Sequence, residues 1–113
     1  MTPKQESISV IIPCYRCSDT IERAVASVVA QTLQPAEVIL VDDCSGDGTL
    51  ATLNKIQAHY PQGWVQVIEC SVNGGAGTAR NAGWAAATQT YLAFLDADDI
   101  WLPEKLKSQL KIP

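Results

Sequence analysis

The sequence predicts an α/β fold: a Rossmann-like, three-layer α/β/α domain around a mostly parallel sheet of about four strands. Strand-like and helix-like segments alternate three and a half times along the chain. The strand-like segments are near-continuous apolar runs, the pattern of a parallel sheet covered on both faces through right-handed crossovers. The 113 residues leave room for one such domain with a single core, and not for two.

Ser7 to Ile12 reads Ser-Ile-Ser-Val-Ile-Ile, a buried strand closed by Pro13. Residues 1–6 before it form a polar, flexible tail, and the domain occupies residues 7–113. Asp19-x-x-Glu22 offers an N-cap with an acid three residues on. Ile21, Val25, Val28 and Val29 then mark one apolar helical face, and Pro35 ends the connection. Glu37 to Val41 is a second buried strand. A turn-forming stretch from Asp42 to Gly48 leads to a helix from about Thr49 to His59, with Leu50, Leu53 and Ile56 inward and Asp47 as its N-cap. Trp64 to Glu69 makes a third strand. Asn73-Gly74-Gly75 turns into a helix rich in Ala and Gly, able to approach a sheet closely. Tyr91 to Leu95 is the fourth strand, and another helix begins near Pro103 with Lys105, Lys107 and Lys111 on a solvated face.

Composition narrows the function. Apolar content of 47% and charge of 18% suit a compact fold. The net charge of −4 argues against nucleic acid as a partner, since phosphate backbones need a basic face. No apolar run approaches the ~20 residues that span a membrane. The polar start leading straight into a strand reads as having no signal peptide. Cys14-x-x-Cys17 resembles half of a zinc site or a redox pair, but Cys44 and Cys70 stand alone. Reduced, structural thiols are the default without a leader.

Ligands of parallel sheets gather beyond the carboxyl ends of the strands. Here those ends carry Pro13-Cys14-Tyr15-Arg16, Asp42-Asp43-Cys44-Ser45, Asn73-Gly74-Gly75-Ala76-Gly77 and Asp96-Ala97-Asp98-Asp99. Asp96 and Asp98, two apart on a loop leaving a strand, can turn toward one divalent cation. Hard cations such as Mn2+ and Mg2+ take oxygen ligands, often one or two carboxylates plus substrate phosphates. An acidic loop capping the next helix is the competing reading. The edge points to a cation-assisted phosphate or nucleotide site. A dinucleotide fingerprint fails because Arg80 stands in the last place of Gly75-x-Gly77-x-x-Arg80 and the motif follows the wrong strand. Gly-Lys-Ser/Thr of a phosphate loop is absent. A haloacid-dehalogenase phosphatase has its Asp-x-Asp on the first strand, and only 14 residues follow Asp99. A receiver domain needs an isolated acceptor Asp and a later Lys that this pattern does not supply.

Taken in order, Val10-Ile11-Ile12-Pro13-Cys14-Tyr15, Val41-Asp42-Asp43-Cys44-Ser45-Gly46-Asp47-Gly48-Thr49, Asn73 to Asn81 and Leu95-Asp96-Ala97-Asp98-Asp99 resemble family 2 glycosyltransferases. The similarity runs from Ile8 to about Leu110. It implies the nucleotide-binding half of a GT-A fold, holding a nucleotide-sugar (a UDP-sugar foremost) with Mn2+ or Mg2+. Pro13 and Tyr15 match the base pocket, Asp43 the residue that contacts base or ribose, and Asp96 the acid near the ribose. Asp98 matches the metal ligand. Arg80 and the amides of Gly75 to Gly77 fall at the same edge and are assigned to the nucleotide. Asp42 is expected as a turn residue, Trp101 as packing under the acidic loop, and His59 as inert. Tyr15 is equally a stacking platform or a lid on the first helix.

The resemblance also implies a second half with an acceptor site and a general base, and nothing after Asp99 suits that base. Inactivity of these residues alone in an inverting, metal-dependent transfer is the expectation, with a glycan or lipid-linked acceptor engaged through the missing part. An exposed half-sheet suggests a homodimer. Residence is expected in the cytoplasm, at the inner face of the membrane for a longer protein. A non-catalytic nucleotide-binding or assembly module is the alternative. Arg16 departs from the Asn of many relatives, and Cys44 from a common Gly or Asn.

Overall fold

A computed structural model describes residues 5–109. The elements are β1 (Gln5–Cys14), α1 (Ile21–Val29), β2 (Gln34–Asp42), α2 (Thr49–His59), β3 (Val65–Glu69), α3 (Ala76–Ala86), β4 (Tyr91–Phe94) and α4 (Lys105–Gln109). The strands form one sheet in the order β3-β2-β1-β4, and every pairing is parallel.

Alternation along each strand sorts the core. Ile8, Val10 and Ile12 of β1, with Val38 and Leu40 of β2, pack with Ile21, Val25 and Val28 of α1 and with Leu53 and Ile56 of α2. Ile11, Ile39 and Val41 point the other way, onto Ala79 of α3. Each fully buried Ile or Leu contributes about 1.5–3 kcal/mol over its exposed state, so both faces need a helical cover. On the α3 side the cover comes very close. A Cβ placed on Gly83 would stand 2.4 Å from Ile11 Cγ2 and 3.3 Å from Val41 Cγ2. The small residues of α3 are what let it lie on the sheet.

Several boundaries differ from expectation. Gln5 and Glu6 already belong to β1, paired with Gln34 and Pro35. The flexible tail expected over residues 1–6 therefore does not include Gln5 and Glu6; residues 1–4 lie outside the described residues, as do residues 110–113 with Lys111. Pro35 sits inside β2 near its start, where a missing N–H is tolerated, and the β1 register shifts between Glu6 and Ser9. Its carbonyl accepts the indole N–H of Trp64 at 3.1 Å, so Trp64 clasps β2 from just before β3. Asp19 does not cap α1. The backbone first closes a turn, with the N–H groups of Thr20 and Ile21 both donating to the Cys17 carbonyl at 3.0 Å, and Thr20 takes the N-cap position. Leu50 is half-buried.

The chain steps outward from β1 to β2 to β3, then returns across the sheet to lay β4 on the other side of β1. This reversal opens a crevice beyond the carboxyl ends of β1 and β4, the place where open α/β sheets receive ligands.

Candidate functional site

Three groups of residues stand at that edge. In the first, the loop after β1 turns sharply through Arg16, whose φ is 51°. Ser45 holds the turn: its Oγ accepts from the Arg16 N–H at 2.8 Å, and its carbonyl accepts from Arg16 Nε at 3.3 Å. Ser45 is fixed in turn by Asp42, whose Oδ1 accepts from Ser45 Oγ at 2.6 Å and from Ser45 N at 3.2 Å. Asp42 thus makes the turn expected of it. The result presents Tyr15, 48% exposed, with the Arg16 guanidinium carbon 5.2 Å from its ring centroid. Pro13 is half-buried in β1, in register with Val41.

In the second group Asp43 is buried, and both of its carboxylate oxygens serve the chain itself. Oδ1 accepts from Gly74 N and Oδ2 from Gly75 N, each at 2.9 Å. Asn73 Nδ2 donates to the Asp43 carbonyl at 3.0 Å. The Asp43 carboxylate therefore shapes the glycine turn before α3, where Gly75 has a φ of 89° that a side chain would strain. Each oxygen keeps lone-pair capacity for a further donor. Beside this loop, hydrogen bonds from the Thr49 side chain and backbone hold the Asp47 carboxyl below its ordinary value. Asp47 Oδ1 accepts from Thr49 N at 2.8 Å, although Gly48 occupies the cap position of α2.

The third group is acidic. Carboxylate oxygens of Asp96, Asp98 and Asp99 all lie within 4.8 Å of one another, and all three residues are exposed. The Asp99 N–H donates to the Asp96 carbonyl at 3.0 Å, so one tight turn folds the three together. Like charges this close favour a cation between them, and an all-oxygen set of this size suits Mn2+ or Mg2+. Arg80 reaches the cluster only loosely, its Nη2 3.9 Å from Asp96 Oδ1 with both side chains solvated. Asp99 joins the residue expected to bind metal, Asp98. Its turn with Asp96, three residues apart in sequence, is the signal that marks it.

The acidic loop is anchored from behind. Trp101 packs against the core as expected, and its N–H donates to Ser27 Oγ at 3.0 Å. Gln31, not singled out by its sequence context, is 1% exposed and spans the following turn. Its Nε2 donates to the Leu102 carbonyl at 2.7 Å and its Oε1 accepts from Leu106 N at 3.0 Å.

The sequence profile described as Glycosyl transferase family 2 matches residues 9–112. The chain is 38% identical over 105 residues to the Escherichia coli UDP-Glc:alpha-D-GlcNAc-diphosphoundecaprenol beta-1,3-glucosyltransferase WfaP, covering 93% of this chain and 40% of that protein. Among solved structures, S. aureus TarS 1-349 in complex with UDP matches with a TM-score of 0.78 at 33% identity, over 90% of this chain and 30% of that one. The mannosyltransferase PcManGT from Pyrobaculum calidifontis, in complex with GDP-Man and Mn2+, matches with a TM-score of 0.75 at 27% identity, over 84% of this chain and 28% of that one. The chain spans less than half the length of the curated relatives it matches. With the parallel sheet, the helices on both faces and the profile match together, the fold is the Rossmann-like GT-A fold and the chain belongs to glycosyl transferase family 2.

Proposed function

We propose that this chain is the donor-binding part of a glycosyltransferase that takes a nucleotide-sugar, a UDP-sugar foremost, with Mn2+ or Mg2+ held at Asp98. The observation that carries the reading is the gathering of Asp96, Asp98 and Asp99 at the same sheet edge as the Asp43-bound glycine turn. The UDP of the TarS complex and the GDP-Man and Mn2+ of the mannosyltransferase support it. The donor gives its sugar to a glycan or lipid-linked acceptor in polysaccharide synthesis, a role supported by the lipid-linked acceptor in the name of the E. coli relative.

A departing nucleoside diphosphate accumulates negative charge, and a divalent cation supplies the charge that stabilises it. The residues of this chain bind and orient. Asp98 ligates the cation, with Asp96 and Asp99 close enough to share it, and Asp96 also approaches the ribose. Arg80, with only a loose ion pair, turns its guanidinium to the diphosphate. Tyr15 and Pro13 line the base pocket, and Asp43 offers its remaining lone pairs to the base or ribose. The inverting transfer requires a carboxylate base within hydrogen-bond reach of the acceptor hydroxyl. We assign that base to the length of the relatives that this chain does not span, and we place the reaction at the cytoplasmic side of the membrane. Among the described residues no helix is long and apolar enough to cross one.

Isothermal titration of UDP, then GDP, dTDP and CDP, each with and without Mn2+, tests the site. UDP binding is expected to need the metal and to weaken roughly tenfold or more in Asp98→Ala. Equal affinity without Mn2+, or in the variant, would overturn the metal assignment. A parallel sugar-release assay is expected to stay at background for these residues alone, and clear turnover would refute their proposed inactivity.

A further inference from the structure

Tyr15 and Arg16 are built as one unit. Tyr15 is exposed at the tip of the loop after β1, yet the backbone on both sides of it is fixed. The Cys14 carbonyl accepts from Asp43 N at 2.8 Å, and Arg16 N donates to Ser45 Oγ at 2.8 Å. The Arg16 side chain then returns over its neighbour: Nε donates to the Ser45 carbonyl at 3.3 Å, and the guanidinium carbon stands over the Tyr15 ring, 5.2 Å from its centroid. Ser45 is buried and bonded to buried Asp42, so this cation hangs from the core and not from another solvated side chain. Among the described residues no carboxylate forms an ion pair with Arg16. Asp47, whose carboxyl is lowered first by its hydrogen bonds with Thr49, feels Arg16 only as a lesser charge. The guanidinium is spent on a carbonyl and a ring face.

We propose, resting on the donor-binding reading, that Arg16 is a positioning residue: it clamps the Tyr15 ring from one face and leaves the opposite face as a ready-made stacking platform for a nucleobase. An exposed ring that turns freely must be immobilised by whatever binds it, and that ordering weakens binding. A cation held on one face removes the freedom beforehand. Stacking uses the π-face that every base has, so the clamp supports uracil and cytosine alike and takes no part in choosing between them. The left-handed backbone of Arg16 gains a purpose. Asn would suit a φ of 51° better, but it is too short to lie over the ring while reaching the Ser45 carbonyl.

Titration of UDP, CDP and inorganic pyrophosphate, each with Mn2+, tests the clamp in the parent chain, Arg16→Asn and Arg16→Lys. Arg16→Asn fits the left-handed position and is expected to fold. UDP and CDP are expected to weaken in it by the same factor, roughly tenfold, the scale of one stacked base. Pyrophosphate, which has no base, is expected to bind unchanged. Arg16→Lys keeps a cation near the ring and is expected to fall between parent and Arg16→Asn. In a Tyr15→Ala background, Arg16→Asn is expected to add no further loss, because Arg16 acts through the ring. Equal weakening of pyrophosphate would make Arg16 a source of general positive charge. A loss confined to UDP would make it a reader of the base edge, and additive losses with Tyr15→Ala an independent contact. Each of these overturns the proposal, as does undiminished UDP affinity in Arg16→Asn, and all four leave the donor-binding reading standing. A parent chain that binds neither UDP nor pyrophosphate overturns that reading, and the clamp with it.

Discussion

Two side chains at the site sit where backbone geometry disfavours them. Arg16 and Cys44 have φ of 51° and 56°, in the left-handed region that costs an ordinary residue about 1–2 kcal/mol. These are the positions where the family resemblance implies Asn or Gly, the residues that enter this region most readily. The departures noted in the sequence thus acquire a physical meaning: each keeps a turn whose usual residue it lacks. Arg16 recovers part of the cost through Ser45 and the Tyr15 face, whereas the hydrogen bond of exposed Cys44 is a long one, to the Ser71 carbonyl at 3.7 Å. Cys44→Gly is accordingly expected to raise stability by about 1 kcal/mol in urea unfolding, and a lowered midpoint would reject the strain account. At this scale the sequence singles out the carboxylates at the sheet edge, but not what they touch. Asp43 stands out in the sequence as a candidate. Its bonds to Gly74 and Gly75 do not, because those amides reach it only after β2 and β3 have paired.

Among the elements, α2 was legible to its ends, since an apolar spacing and a turn on its N-terminal side agree. The start of α1 was not, because a backbone turn at Cys17 outcompeted the Asp19 cap. Least legible was what binds the strands together at the edge away from the site. Glu37 on β2 is buried, and its Oε2 accepts from Ser9 Oγ at 2.5 Å, Thr88 N at 2.7 Å and Thr88 Oγ1 at 2.9 Å. Its Oε1 accepts from Gln66 Nε2 at 3.1 Å. One carboxylate so joins β1, β2, β3 and the segment entering β4, and nothing in a run of Val and Ile announces it. Hydrogen bonds to charged groups contribute roughly 1.5–3 kcal/mol each, and orphaned donors add to the loss. Glu37→Ala is expected to lower unfolding free energy by roughly 2–3 kcal/mol, with Glu37→Gln between it and the parent chain. Urea denaturation checks both, and a Glu37→Ala midpoint equal to the parent would show the clasp to be idle.

For the whole molecule, alternation and order of segments were enough to place four loops at one edge, because a parallel sheet leaves no other arrangement for them. Exposed apolar side chains were expected where the sheet is open, and Tyr91, Phe94, Ile100 and Leu102 lie on and just beyond β4. Stability on the alkaline side has an identifiable contributor in Tyr60, edge-on to His59 and tilted on Trp64. Burial, then the charge of Glu22, raises its hydroxyl above the ordinary 10.0. A raised folded-state value means stability that is full below the unfolded value and declines as pH rises through the folded one. Tyr60→Phe is expected to flatten the fall in melting temperature above pH 10 relative to the parent chain, and parallel curves would exclude Tyr60 as its source.

The position of β1 in the sheet also sets a timetable. It is made before the other three strands of the sheet, yet Ile8 must find Tyr91 before its second flank is covered. Pairings so distant along a chain form slowly, after nearer ones such as β1 with β2 have closed. The clasp around Asp43 needs only the first three strands, while the acidic turn hangs from the fourth. During synthesis the acidic half of the crevice is therefore the late arrival, and on the proposed donor-binding function a nascent chain carries the nucleoside side of its pocket before the side that would hold the cation.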